Sequence, residues 1–206
     1  LTSSPTVADI HVIVADDVPS VMFGTGYAFA EDHVCTLADQ IVKIKSERSL
    51  HFGRGEGDAN FRSDVLWKAI AVYPKAEEGW FTLPEGLQDA LVAYAAGYNA
   101  YLSETGVDAL PEPCRGAAWV EPINHIDMLA FYLHLGQLGS GFYMADFIPT
   151  AAPPGDASAR RGPPPTMEAF REAIQPRGGS NAVAVGARIT DNGRGMVVSN
   201  SHFEAE

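Results

Sequence analysis

Gly178-Gly179-Ser180-Asn181-Ala182-Val183-Ala184-Val185-Gly186 divides the chain. From Ala182 to Val185, small and β-branched residues run on without a helical period, as in a strand buried on both faces. A second such run, Met196-Val197-Val198, follows, and Asp191-Asn192-Gly193 between the two is a hairpin turn signal. The expectation is a β-hairpin whose first strand opens on Ser180, directly behind a conformationally free Gly-Gly pair.

Upstream of this point the composition is that of a linker. Residues 150–165 carry Pro153, Pro154, Gly155, Arg160, Arg161, Gly162 and the run Pro163-Pro164-Pro165. Such a stretch buries too little apolar surface to order itself. A short helix, Met167 to Ile174, interrupts it, and Pro176-Arg177-Gly178-Gly179 closes it.

Before residue 150 the periodicity is helical. Val34, Leu37, Ile41 and Ile44 form one stripe of a helix expected from about Tyr27 to Leu50. A second helix is expected over Ser63 to Tyr73, stopping before Pro74. A third spans Pro84 to Glu104 with the stripe Leu87, Leu91, Tyr94, Tyr98 and Leu102. Asn124 is placed to cap a fourth through Leu135, with Asp127 near its N3 position. Near the start, the alternation of Ile10, Val12 and Val14 suggests a short strand, followed by a turn-rich stretch through Asp16, Asp17, Pro19 and Gly24. The organisation is helices over 1–149, a linker over 150–179, and a β segment over 180–206.

A formal charge of −12, with no basic stripe, excludes a phosphate-gripping nucleic-acid binder. No stretch approaches the roughly 18 to 20 apolar residues of a membrane span. The start, Leu1 to Pro5, has neither a basic region nor an apolar core. Any signal peptide is therefore expected to have been removed, or the chain to begin inside a longer protein. The six histidines show no ligand spacing, so no metal site is expected. Gly24-Thr25-Gly26 lacks the strand before and the acidic residue after it that a dinucleotide loop needs, and reads as a turn leading into a helix. The two cysteines, Cys35 and Cys114, are compatible with buried thiols or with one bridge.

Ser180 is the residue that carries chemistry. Cutting the Gly179–Ser180 bond would free an α-amine beside the hydroxyl, with an intrinsic pKa near 8. That amine can act as the general base a serine otherwise obtains from a histidine, so one residue supplies nucleophile and base. Glycine at 179 leaves its carbonyl open to the Ser180 hydroxyl.

Ser180 to Gly186, with Gly193-Arg194-Gly195-Met196-Val197-Val198-Ser199-Asn200-Ser201-His202-Phe203, resembles the start of the catalytic subunit of penicillin-acylase-type N-terminal nucleophile hydrolases. Within that group it is most similar to the acyl-homoserine-lactone and aculeacin-type lipopeptide acylases. Gly24 to Asp32, Tyr94 to Tyr101 and Trp119-Val120-Glu121-Pro122-Ile123 resemble segments of the small subunit.

The resemblance implies an α+β chain. It would contribute the helical small subunit and the first hairpin of the catalytic subunit to a four-layer αββα sandwich, with the linker as an excised spacer. It implies that Ser180 is the nucleophile, that His202 hydrogen-bonds near it, that Phe203 lines an apolar acyl pocket, and that Gly179 and Ser180 form the processing site. Asn181 and Asn200 would be positioning residues. Cys35 and Cys114 would form a structural disulfide, and the protein would be periplasmic or secreted. The cleaved subunits would associate as a heterodimer acting on a small-molecule N-acyl substrate, with no cofactor. The resemblance allows a structural calcium, for which no ligand cluster is visible.

The sequence also departs from the pattern. Ser201 stands where proline is common, Glu204-Ala205-Glu206 follows Phe203, and the stretch before Gly24 is short. The oxyanion-hole groups of such enzymes lie downstream, so residues 1–206 alone are expected to have little activity. The alternative reading is a truncated or inactive homologue acting as a binding or assembly module.

Overall fold

The computed structural model describes residues 11–137, 148, 166, 168, 179–189, 193 and 196–202, the two strands by their backbone alone. The chain forms two compact units, Leu1–Gly162 and Pro163–Glu206. The segment 150–165 read as linker, most of the short helix at 167–174 and the Gly178 that precedes the hairpin lie outside the described residues.

All the regular structure among the described residues of the first unit is helical. Its helices are α1 (Val18–Ile44), α2 (Arg48–Phe52), α3 (Ala59–Ile70), α4 (Val72–Gly79), α5 (Glu85–Thr105) and α6 (His125–Gln137). α1 begins nine residues before the expected Tyr27. Asp17 caps it, its carboxylate accepting from the Ser20 amide at 2.7 Å, and Pro19 sits in the first turn, where no amide proton is needed. The residues read as a turn are thus a helix start. The Gly24-Thr25-Gly26 stretch lies inside the helix. Helical dihedrals lapse only at His33 (φ −137°, ψ 25°).

The expected stripe of Val34, Leu37, Ile41 and Ile44 is buried, against α5 residues Leu91, Tyr94, Tyr98 and Leu102. Leu87, at the start of that second stripe, is exposed. Each large side chain fully withdrawn from water contributes roughly 1.5–3 kcal/mol, and Trp67, Tyr98, Leu37, Leu91 and Met128 are among them.

Two glycines set how closely α1 and α5 approach. A Cβ at Gly26 would lie 2.1 Å from the Tyr94 carbonyl oxygen, and one at Gly97 would lie 1.9 Å from that of Phe23. Each helix offers a glycine to the backbone of the other. This reciprocal notch explains two of the sequence segments singled out above in terms of packing.

Two further expectations are corrected. The strand expected at Ile10 to Val14 is absent from its described residues: His11–Ala15 has no regular structure, and Val12 and Val14 are 82% and 88% exposed. The alternation is real but meets a helix instead of a sheet. His11 reaches Asp32 at 3.2 Å, and Ile13 lies over Gly24. Nor does Pro74 end a helix. The break falls at Ala71, which takes left-handed dihedrals (φ 57°), and Pro74 sits in the first turn of α4.

α6 carries the expected cap. Asn124 Oδ1 accepts from the amides of Ile126 (2.7 Å) and Asp127 (3.1 Å), while Asp127 Oδ2 accepts from the Asn124 amide at 2.8 Å, a reciprocal capping box. Asp127 is fully buried. Its other oxygen accepts from Tyr73 Oη at 3.0 Å and Lys45 Nζ at 2.8 Å, so one carboxylate joins α1, α4 and α6. Burial, and then the Asp127 charge, raises the Tyr73 phenol, which keeps it a donor. Asn99 of α5 holds Ile123 in the same way, accepting from its amide and donating to its carbonyl, both at 2.8 Å.

Cys35 of α1 and Cys114, in the 3-10 turn Glu112–Cys114, form a disulfide with Cα atoms 5.4 Å apart and a sequence separation of 79. Loss of so long a covalent loop typically costs about 2–5 kcal/mol. Cys35→Ser with Cys114→Ser in the complete gene product is expected to lower stability by about 3 kcal/mol. Urea unfolding, read by circular dichroism with and without reductant, checks this. Reductant should shift the midpoint of the wild type and leave that of the variant where it is.

In the second unit, β1 (Gly179–Val185) and β2 (Met196–His202) form an antiparallel pair. They match the expected apolar runs, extended at both outer ends. The connection contains a 3-10 turn, Ala187–Ile189, and Gly193 at φ 65° in the left-handed region. Glycine occupies that region without a Cβ clash. Asp191 and Asn192 lie outside the described residues.

Candidate active site

Ser180 lies at the start of β1, one residue after the strand begins, so the Gly179–Ser180 peptide is itself part of the ladder. The register sets Gly179 opposite His202, Ser180 opposite Ser201 and Asn181 opposite Asn200. Directly opposed residues in an antiparallel ladder have Cα atoms about 4.5–5.5 Å apart. Pairing therefore brings the backbones of Ser180 and Asn181 beside those of Asn200, Ser201 and His202 at one end of the hairpin, about twenty residues on in sequence. His202 is the last residue of β2, and its backbone is opposed to the residue that precedes Ser180. Phe203, expected to line an acyl pocket, lies outside the described residues.

The uninterrupted pairing of seven residues on each strand sets Val183 against Val198 and Val185 against Met196. A slip by one residue would exchange the faces of every side chain on a strand. Fixing the valines therefore fixes Ser180 and His202 as well.

The helical unit offers no competing chemical centre among its described residues. No group of His, Cys, Asp and Glu there has the geometry to hold a metal ion. The acidic residues with tertiary partners serve structure. Asp64 of α3 accepts from the amides of Arg48 (2.9 Å) and Ser49 (2.8 Å), satisfying the N-terminus of α2. Asp39 pairs with Arg48 at 2.8 Å. Tyr27 donates to Glu104 at 2.8 Å, and that hydrogen bond raises its phenol above the ordinary range. A cleft lined by Lys45, Glu47, His51, Trp119 and Glu121 has polar groups that already meet partners, Lys45 on Asp127 at 2.8 Å and His51 4.0 Å from Glu47. No helix among the described residues is long and apolar enough to cross a membrane.

Sequence reasoning missed the structural roles of Asp127 beyond its cap, of Asn99 and of the Gly26–Gly97 notch. A polar residue within an apolar stretch marks Asn99. The other two depend on partners on separate helices, which no local pattern announces.

Residues 6–206 match the family model described as penicillin amidase. Aculeacin-A acylase of Actinoplanes utahensis is 37% identical over 204 residues, covering 93% of this chain and 26% of its own length. The acyl-homoserine lactone acylase PvdQ of Pseudomonas syringae pv. tomato is 33% identical over 201 residues, with 93% and 26% covered. This chain thus spans about a quarter of the length of these relatives. Among solved structures, the thermostable penicillin G acylase from Alcaligenes faecalis superposes with a TM-score of 0.54 at 18% identity, over 75% of this chain and 91% of that one. That likeness shows the fold. With a family model spanning nearly its whole length, this chain belongs to the penicillin amidase family.

Proposed function

We propose that this chain is part of the precursor of a self-processing acylase that hydrolyses the amide bond of N-acyl substrates through Ser180. The observation that carries the proposal is the juxtaposition at the hairpin end. A Gly-Ser peptide opens β1, and the register sets His202 across from it, in a family whose named relatives are acylases. Residues 1–149 would be the helical small subunit, 150–179 a spacer, and 180–206 the beginning of the catalytic subunit. The two subunits would remain associated in an αββα sandwich.

In maturation, Ser180 Oγ attacks the Gly179 carbonyl carbon. The C–N bond breaks as the acyl group moves to oxygen, and the nitrogen takes up a proton to become a free amine. Water then hydrolyses the ester, regenerating the hydroxyl and leaving a Gly179 carboxylate. In turnover the Ser180 amine accepts the hydroxyl proton as Oγ attacks the substrate carbonyl, and it returns that proton to the leaving amine. Water releases the acid from the acyl-enzyme. His202 would hydrogen-bond near the nucleophile and its amine. Phe203 would line an apolar acyl pocket, matching the acyl-homoserine-lactone, lipopeptide or penicillin classes of substrate. The Cys35–Cys114 disulfide supports a periplasmic or secreted location, where such bonds persist.

Intact-mass analysis with N-terminal sequencing of the complete gene product tests the reading. The expected result is a chain beginning Ser180-Asn181-Ala182 beside a smaller one ending near the linker. An uncut polypeptide would overturn self-processing and leave an inactive homologue with a binding or assembly role.

A further inference from the structure

His134 lies in the last turn of α6 and is 4% exposed, yet its Nδ1 has no hydrogen-bond partner. Its ring stands edge-on to the indole of Trp67 on α3, with centroids 4.6 Å apart at 81°, and Phe131 of its own helix lies 6.3 Å away. Trp67 is 1% exposed, and its own Nε1 is also without a partner. From α1 comes a cation, Lys43, whose Nζ sits 5.6 Å over the same indole ring. The buried carboxylates of the same two helices are engaged elsewhere: Asp64 of α3 by the start of α2, and Asp127 of α6 by Lys45 and Tyr73. The contact is an apolar joint between two helices, with a titratable ring at its centre and a positive charge at its border.

A neutral ring suits this joint and a charged one does not. Protonation would set an imidazolium in a desolvated site beside an ammonium, with no carboxylate among the described residues paired to the His134 ring. Most of the other packing of α6 is of another kind. Its first turn is held by the Asn124 box and the Asp127 hub, which are hydrogen bonds and an ion pair and contain no histidine. The two ends of one helix are therefore held by contacts of different kinds.

We propose that His134 is an acid-sensitive latch, whose protonation releases the last turn of α6 from Trp67 and opens this end of the helical unit before the remainder unfolds. Burial, with a smaller contribution from Lys43, pushes the His134 imidazole down to about 4 from an ordinary 6.5. Because the closed state binds the proton more weakly than the open one, closure is fully favoured above pH 6.5 and weakens as pH falls toward 4. The opening equilibrium should rise about tenfold per pH unit in that window, reaching roughly 100-fold near pH 4.5.

Hydrogen exchange read by mass spectrometry on the complete gene product, between pH 7 and 4.5 and corrected for intrinsic exchange rates, tests this. Protection is expected to fall in peptides from the end of α6 and the Trp67 turn of α3, while α5 stays protected. His134→Phe should be flat over the same window, and His134→Gln serves if the phenylalanine variant fails to fold. Carbon NMR of the wild-type His134 ring supplies a measurement that needs no variant, since its titration should coincide with the loss of protection. Equal loss in wild type and variant would overturn the latch. So would simultaneous loss across α1, α5 and α6, or a ring that titrates at 6.5 with no change in exchange.

Discussion

Gly97→Val is expected to leave the helical unit without a stable folded state, and Gly97→Ala to lower its stability by at least about 3 kcal/mol. A single methyl group normally finds some compliance in a core, because the neighbours it meets are side-chain ends. At Gly97 the neighbour is main chain. The added Cβ would sit 1.9 Å from the Phe23 oxygen and 2.9 Å from the Tyr27 nitrogen, where ordinary contact begins near 3.4 Å. Both atoms belong to α1, which can yield only as a body. Moving it away would loosen Ala30, Val34 and Leu37 from Leu91, Tyr94 and Tyr98, and would strain against the disulfide at Cys35. The opposing effect is the better helix propensity of alanine, worth about 1 kcal/mol, so the clash should win. Gly86 supplies the control. It lies in the first turn of α5 with nothing within 4 Å of a built Cβ, and Gly86→Ala should stabilise by roughly 0.5–1 kcal/mol. Urea midpoints of the two alanine variants should thus move in opposite directions. A Gly97→Ala midpoint equal to or above that of the wild type would mean that α1 and α5 do not cross at this distance.

The notch bears on how much of the fold the sequence reveals. The α5 stripe, the buried face of α1 beyond His33, the Asn124 cap and the two strands were legible because each is a local pattern: a period, a cap residue, an apolar run. Errors arose where two local readings compete. Asp17, Pro19, Gly24 and Gly26 together look like a turn, but Asp17 and Pro19 are also the residues of a helix start, and the glycines are explained only by a second helix lying against them. Ala71 breaks a helix with no glycine or proline at the break, so attention falls on Pro74 three residues later. Val12 and Val14 alternate like a strand, yet among the described residues nothing pairs with them. Asp127 could be seen as a cap but not as the partner of Lys45 and Tyr73, which come from two other helices. At the hairpin, residue types were legible, whereas the register that sets Gly179 against His202 is a property of pairing. The segments on which the family resemblance rests in the helical unit consequently divide by role: Gly26, Gly97 and Asn99 explain architecture, and the chemistry is sought in the hairpin.

Ser180→Ala is expected to leave the complete gene product as one uncut polypeptide and to reduce kcat/KM for acyl amides by at least about 10⁴-fold. The size of the effect follows from the double use that the proposed mechanism makes of one residue. An ordinary serine hydrolase that loses its nucleophile keeps its base, its oxyanion donors and its binding site. Here the same change would remove the nucleophile and also prevent the cut that creates the base. Ser180→Cys separates the two losses. A thiol is the better nucleophile at neutral pH and can undergo the acyl shift, so this variant should mature and expose an α-amine at residue 180. Its turnover should still be poor, because thiolate attack on an unactivated amide favours expulsion of the thiolate over the amine. Three results then map onto three steps: wild type cut and active, cysteine variant cut and impaired, alanine variant intact and inactive. His202→Ala should follow a different course if the histidine only hydrogen-bonds near the amine, with cleavage slowed and the pH profile of kcat displaced. Maturation and full activity in the Ser180→Ala protein would remove Ser180 from the mechanism, and the role would have to be sought at another nucleophile of the complete chain.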